Sequence, residues 1–331
     1  MESRHVLMIG PSGVGKTSLA AAAIAAGIRH LEDARGRGKT SLSLALPQAG
    51  RARIDAVMAG LARGVAPEVA PTVEHDAWQL SLSGASGGLR RLLGAKPLAV
   101  PVTVHDYPGA LAGDLPRLVS EVTPLAQVDA VVVPVDAALL MEAKTPAQET
   151  AALALHQMQL VEELILEWEK CRARSGGGLL VLAPVKCESY FADNGGPGSP
   201  EMARRLADSV CNRYLGSVLD IIMAFTKDIG CLYLPVDTAG AVLNGCQWEA
   251  EGERRSFAPA WRRLPGSFAP LGGEVVMLAV LQFILRALVQ DPDPSLGRSG
   301  RRQAEQMSAE MDGLVKEYMG SGRYERAMRI C

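Results

Sequence analysis

Residues 10–17 read GPSGVGKT: Gly10, Pro11, Ser12, Gly13, Val14, Gly15, Lys16 and Thr17. They match the pattern GxxxxGK[ST] at every fixed position. The match follows an apolar β-branched run at 6–9 and opens an alanine-rich helical stretch at 17–28. Strand, glycine loop and helix in that order give the pattern chemical content. The glycines let successive backbone N–H groups turn inward at the positive end of a helix dipole, where they cradle phosphate. Gly10, Ser12, Gly13, Val14, Gly15, Lys16, Thr17 and Ser18 are therefore the candidate phosphate residues. Lys16 is expected to reach β- and γ-phosphate oxygens, and the Thr17 hydroxyl to ligate Mg²⁺.

Outward from this loop, further short apolar runs at 98–104, 128–135, 179–182 and 231–236 read as buried strands. Helical patterns alternate with them: one long amphipathic helix at 147–174, one or two helices at 200–226, and a last one at 273–289. That alternation predicts an α/β sheet with helices on both faces. Residues 76–84, DAWQLSLSG, alternate apolar and polar as a half-exposed strand does, and suit antiparallel pairing with the run at 98. Residues 29–66, with a helix expected at 51–63, and residues 240–272 interrupt the pattern and read as insertions. Residues 290–300 are rich in Pro, Gly and Ser, as a linker is, and 301–331 read as a helical appendage. The chain is thus expected to carry one domain over 1–290, a linker at 291–300 and that appendage.

Composition narrows the class. The 48% hydrophobic content over 331 residues supplies a sizeable core, so the chain is globular. A formal charge of −2 provides no long-range attraction for nucleic acid or anionic lipid, so a nucleic-acid partner is not expected. The six cysteines, at 171, 187, 211, 231, 246 and 331, form no CxxC pair and have no His at ligand spacing. Reduced thiols in a cytoplasmic protein are the simplest reading. The first apolar run is too short for a signal peptide, and the most apolar later stretch, at 275–285, is short for a bilayer span, so no transmembrane segment is expected.

The glycine loop alone does not separate ATPases, kinases and GTPases. Asp106-Tyr107-Pro108-Gly109 ends the run at 98–104 in Asp-x-x-Gly. There Asp106 can hold a water on Mg²⁺ and the Gly109 N–H can meet a γ-phosphate. A strand-end Asp capping a Pro-Gly turn is the plainer reading of the same residues. Upstream, Pro71-Thr72-Val73-Glu74 places Thr72 where its hydroxyl can join the metal and its N–H the γ-phosphate.

The succession of glycine loop, Pro-Thr-Val-Glu, strand pair and Asp-x-x-Gly resembles the Ras-like P-loop GTPases of the translation-factor-related (TRAFAC) class, over about residues 4–290. With "VKCE" at 185–188 and the long insertion before Thr72, it further resembles the bacterial double-GTPase-like group, whose members are linked to multi-component systems. The resemblance implies a mostly parallel six-stranded sheet, GTP and GDP as ligands, Mg²⁺ as cofactor and protein partners as readers. It implies catalytic roles for Lys16, Thr72 and Gly109, and metal roles for Thr17, Thr72 and Asp106. In such proteins the loop after the fifth strand carries Asn/Thr-Lys-x-Asp, and Val185-Lys186-Cys187-Glu188 stands there. Glu188 can accept both guanine edge donors from one methylene further away, whereas adenine would leave its carboxylate unpaired. Val185 lacks the amide, and Lys186 would lay its stem over the base. Thr238-Ala239 resembles the small pair that offers backbone N–H to guanine O6.

After Gly109 stand Ala110 and Leu111, which cannot orient a water, so slow intrinsic hydrolysis is expected. A partner, or an internal group among His75, Asp114, Arg35, Arg37, Arg51 and Arg53, would complete the site. Partners would meet the switch regions, the Arg- and aromatic-rich insertion at 240–272, or the apolar face of Met307, Met311, Leu314, Val315, Tyr318 and Met319, which either docks on its own core or binds another protein. An ATP-using kinase or ATPase, and a non-hydrolysing pseudo-GTPase, remain as alternatives.

Overall fold

The computed structural model describes residues 1–63, 76–84, 97–107, 125–172, 176–225, 228–238, 240, 242–248, 257–263 and 268–331. The chain is α/β. Among the described residues, eight strands form one sheet in the order β10-β7-β6-β5-β1-β4-β3-β2. They are β1 (Arg4–Met8), β2 (Ser43–Ala45), β3 (Asp76–Ser83), β4 (Ala99–Asp106), β5 (Val128–Asp136), β6 (Gly178–Val185), β7 (Ile229–Tyr233) and β10 (Met328–Arg329). The central five, β7-β6-β5-β1-β4, are parallel, and β3, β2 and β10 join antiparallel at the two edges.

Six strands were expected from the sequence, and both extra ones lie in segments read otherwise. β2 comes from the first insertion and β10 from the C-terminal appendage. Each is short, three and two residues, so the backbone pairing of the neighbouring strand and not local propensity makes it a strand. The expected antiparallel pair is present along its whole length, from Asp76↔Asp106 to Ser83↔Ala99.

The parallel strands read as unbroken apolar runs because both faces are covered. Along β5, Ala130 and Val132 face one core while Val131, Val133 and Val135 face the other. The first core is closed by α1 (Lys16–Gly36), α2 (Gln48–Arg63), α8 (Gly273–Gln290) and α9 (Arg298–Gly320). The second is closed by α3 (Ala137–Met141), α5 (Met158–Arg172), α6 (Pro200–Asp208) and α7 (Gly216–Phe225), with a π-helical turn at Ser209–Tyr214 between the last two. A separate hairpin, β8 (Val242–Trp248) with β9 (Phe257–Arg263), occupies the second insertion.

Three helices depart from the pattern read in the sequence. α1 runs to Gly36, beyond the expected end at 28, because Leu31 and Ala34 continue its buried face. The single helix expected at 147–174 is broken into α4 (Pro146–Leu155) and α5, with Gln157 at a left-handed φ of 48°. His156 fills the break. Its Nδ1–H reaches Ala152 O at 2.8 Å, leaving Nε2 to accept the Asp136 backbone N–H at 3.0 Å. Burial lowers the imidazole pKa, in keeping with that neutral tautomer.

α8 is apolar enough to cross a membrane by length and composition. Here its two sides are covered by α1 and α9, which explains why it is apolar nearly all round.

The apolar face of α9 docks on this same domain and is not open to a partner. Met307, Met311, Leu314 and Tyr318 are buried in the first core; Met319 points outward. Polar clamps flank the contact. Glu310 accepts the Ser41 N–H at 2.7 Å and the Thr40 hydroxyl at 2.9 Å, and Gln303 accepts the Leu98 N–H at 2.7 Å. Met311→Ala is therefore expected to lower stability by about 2–5 kcal/mol in urea unfolding with one cooperative transition. A separate early transition confined to α9 would contradict this integral packing.

Candidate functional site

The order β5-β1-β4 places β1 where the chain's path across the sheet reverses; in open α/β sheets the ligand crevice lies at that point, beyond the carboxyl ends of the strands. The register aligns these ends: Met8 pairs with Asp106, and Asp136 with Val185. The glycine loop leaves β1 into this crevice. Gly13 and Gly15 adopt positive φ values of 79° and 107°, which side chains resist, so the loop can coil tightly into the first turn of α1. Ser12 and Gly13 are exposed at its rim; Val14 is buried beneath it; Thr17 and Ser18 are half-buried on its helical side.

Lys16 folds back across the loop, donating to Gly10 O and Pro11 O at 2.7 Å each. Its side chain is almost fully buried, and desolvation lowers its pKa to about 8, against the pull of the Asp106 charge. The Thr17 hydroxyl donates to Asp106 Oδ2 at 2.5 Å. Asp106 has no exposed surface. A hydroxyl and a carboxylate in direct contact beside the glycine loop are oxygen groups of the hard kind that Mg²⁺ takes as ligands. Among the described residues no group of three or more His, Cys, Asp or Glu side chains can hold a metal. A cation here would draw its remaining ligands from phosphate and water, as Mg²⁺ commonly does.

Of the four insertion arginines singled out in the sequence, Arg53 lies within reach of the Asp106 charge. Its guanidinium lies 4.8 Å from the ring centre of Trp78 on β3. Burial lowers its pKa and the Asp106 charge opposes that shift.

Two strands away, β6 ends in the turn expected to read a base. Val185 is fully buried, and its Cγ2 lies 3.4 Å from where a Cβ on Gly15 would stand. An apolar side chain thus approaches the glycine loop at the position where the resemblance calls for an amide. Lys186 takes a left-handed conformation, φ 60° and ψ 40°, uncommon for a side-chain-bearing residue. Its ammonium pairs with Asp136 at the end of β5. Asp136 also caps α3, accepting the Leu139 N–H at 3.1 Å, and its own N–H is held by His156. The Cys187 N–H bonds to Val236 O at 3.3 Å, and Glu188 is 3% exposed. The β8 backbone lies against this turn.

The third loop continues from β7. Leu234 and Val236 donate backbone bonds to Leu182 and Pro184 at 2.8 and 2.7 Å, which brings Thr238, buried, to the same edge.

The structure therefore brings together residues 10–18, Asp106, Lys186, Glu188 and Thr238. Thr72, Gly109 and Ala239 lie outside the described residues, as do His75, Ala110, Leu111 and Asp114. Sequence reasoning missed Asp136 and His156, although Asp136 ends its strand as Asp106 does. It also missed Arg326, whose partners Asp193 and Asp237 are 133 and 89 positions away and leave no local trace. No protein-family model matches this chain, and no curated protein matches its sequence.

Proposed function

We propose that this protein is a Mg²⁺-dependent guanine-nucleotide switch on a Ras-like P-loop scaffold, with slow intrinsic hydrolysis. The observation that carries the reading is the cluster of Lys16, Thr17 and Asp106 at the strand-end crevice, with a buried carboxylate-bearing turn two strands away. Phosphate at this loop would take the Lys16 ammonium from Gly10 and Pro11 carbonyls, exchanging neutral acceptors for charged ones. Thr17 and Asp106 would hold Mg²⁺, which neutralises phosphate charge. Glu188 would accept the guanine edge and Thr238 would close the loop over it. Ala110 and Leu111 after Gly109 supply no water-orienting group, so hydrolysis would wait on a partner. By the resemblance, that partner is a protein of a bacterial multi-component system, met at the switch segments or at the β8–β9 insertion.

Titration of nucleotide-stripped protein with fluorescent GTP, GDP and ATP analogues tests the reading. Guanine nucleotides are expected to bind at least about tenfold tighter than ATP, and Glu188→Ala to erase that margin. ATP binding of equal strength, unchanged in Glu188→Ala, would leave VKCE a mere loop and transfer the protein to the ATPase or kinase class.

A further inference from the structure

Beyond α9 the chain does not trail away. Tyr324 is buried and its hydroxyl donates to Pro235 O at 2.7 Å; β10 then pairs with β7, Met328 opposite Tyr233. Between these two anchors lies Arg326, whose side chain is 2% exposed. Its guanidinium bridges two loops. Nε meets both oxygens of Asp193 at 3.0 and 2.7 Å, and Nη1 and Nη2 meet the two oxygens of Asp237 at 2.6 and 2.8 Å. The Phe191 ring lies under it, 4.1 Å from Cζ to the centroid. Asn194 adds a bond to Asp237 at 3.3 Å and one to Ala269 O at 2.8 Å.

The two bridged loops are those that would face a base. Asp237 directly precedes Thr238. Asp193 lies in the segment that doubles back on the 187–189 turn, so closely that a Cβ on Gly196 would stand 2.2 Å from Glu188 O. Without the guanidinium, the Asp193 and Asp237 carboxylates would be left without their shared counterion, Asp237 with no exposure to water. An uncompensated buried carboxylate either moves toward solvent or takes up a proton. Either way the ionic tie that joins the Asp193 and Asp237 loops, which flank Glu188 and Thr238, is lost.

We propose that the segment at 321–331 is part of the base site, and that Arg326 is its positioning residue, setting the distance between the Glu188 turn and the Thr238 loop. The inference rests on the nucleotide-binding reading above and deepens it: retention of the base depends on a residue that touches no nucleotide.

The test compares the full chain with Arg326→Gln, Arg326→Lys and Asp193→Asn. Three quantities are read: release of a fluorescent GDP analogue in Mg²⁺, affinity for inorganic tripolyphosphate, and the ligand-free melting temperature. Tripolyphosphate engages only the glycine loop, so it reports general loosening. Arg326→Gln is expected to release GDP about tenfold faster or more, with tripolyphosphate affinity within about twofold of the parent; Arg326→Lys should recover part of the loss. Asp193→Asn, at a position 29% exposed, should fold and show a smaller change of the same kind. It supplies the answer if Arg326→Gln does not fold. Unchanged GDP release in both variants, or a parallel fall in tripolyphosphate affinity, would overturn the assignment. A parent protein that holds tripolyphosphate but no GDP would instead overturn the guanine reading itself, and the positioning role with it.

Discussion

Lys16→Ala is expected to cut affinity for Mg²⁺-bound nucleoside di- and triphosphates by about 10²–10³-fold, roughly 3–4 kcal/mol. The ammonium is already desolvated and aimed into the loop, so the protein does not have to bury it on binding. Its present acceptors, Gly10 O and Pro11 O, are neutral. Exchange for phosphate oxygens replaces dipoles with full negative charge in a poorly screened site. The same burial makes the variant's free form informative. A charged amine held away from water costs stability, so its removal should leave the ligand-free melting temperature unchanged or raise it. Calorimetric titration beside thermal melting separates the two effects. Lost binding together with a large fall in melting temperature would mean that Lys16 braces the loop and does not await a ligand.

The pH dependence has a definite sign. Lys16 titrates near pH 8 in the folded protein, against an ordinary value of 10.5. Between these values the unfolded chain binds more protons than the folded one, so stability should rise with pH across that window, by on the order of 3 kcal/mol from this group. Bound phosphate would restore the charged amine. Binding above pH 8 should therefore be accompanied by proton uptake, measurable as a dependence of binding heat on buffer ionisation enthalpy. In Lys16→Ala both signatures should vanish.

What the sequence disclosed and what it hid divide along physical lines. Strands buried on both faces announce themselves as apolar runs, and the glycine loop carries its spacing in eight consecutive residues, so the central sheet and the coiled loop between β1 and α1 were legible. Asp106 was legible because it ends such a run. The edge strands were not: Ser43–Ala45 and Met328–Arg329 have no pattern of their own and exist through the backbone groups of β3 and β7. The break at His156 was hidden because helical periodicity continues on both sides, and the partners that hold the ring inward, the Asp136 N–H and the Tyr214 ring, lie far along the chain. Arg326 was hidden for the converse reason. An arginine in a tail looks like a solvated surface residue until the fold supplies two carboxylates and an aromatic ring. Conversely, the amphipathic face of α9 is apolar as its spacing predicts, but amphipathicity cannot name the surface it covers; α8, itself apolar nearly all round, needed a second cover.

Asp106→Asn is expected to uncouple nucleotide affinity from Mg²⁺. Asparagine keeps the shape of the side chain and an oxygen to accept the Thr17 hydroxyl, so the β4 end should hold its place. It removes the negative charge that would secure a divalent cation against the phosphates. In the parent protein, chelation of Mg²⁺ should accelerate nucleotide release by about tenfold or more; in Asp106→Asn, release with and without chelator should agree within about threefold. Affinity for metal-free nucleotide should hold or improve, because a buried carboxylate no longer repels phosphate across the crevice. The variant also touches Lys16. The Asp106 charge presently opposes the desolvation that lowers the lysine pKa, so its loss should drive that pKa further down and move the onset of proton uptake to lower pH. The two outcomes are linked through one carboxylate and read by independent instruments, stopped-flow fluorescence and calorimetry. If Asp106→Asn kept the full Mg²⁺ effect but shifted the proton uptake, the carboxylate would be an electrostatic neighbour of Lys16 and the metal would bind elsewhere in the crevice. If it abolished the Mg²⁺ effect as well, Thr17→Ala should reproduce that loss without the shift, since a hydroxyl ligates the cation but carries no charge for Lys16 to sense.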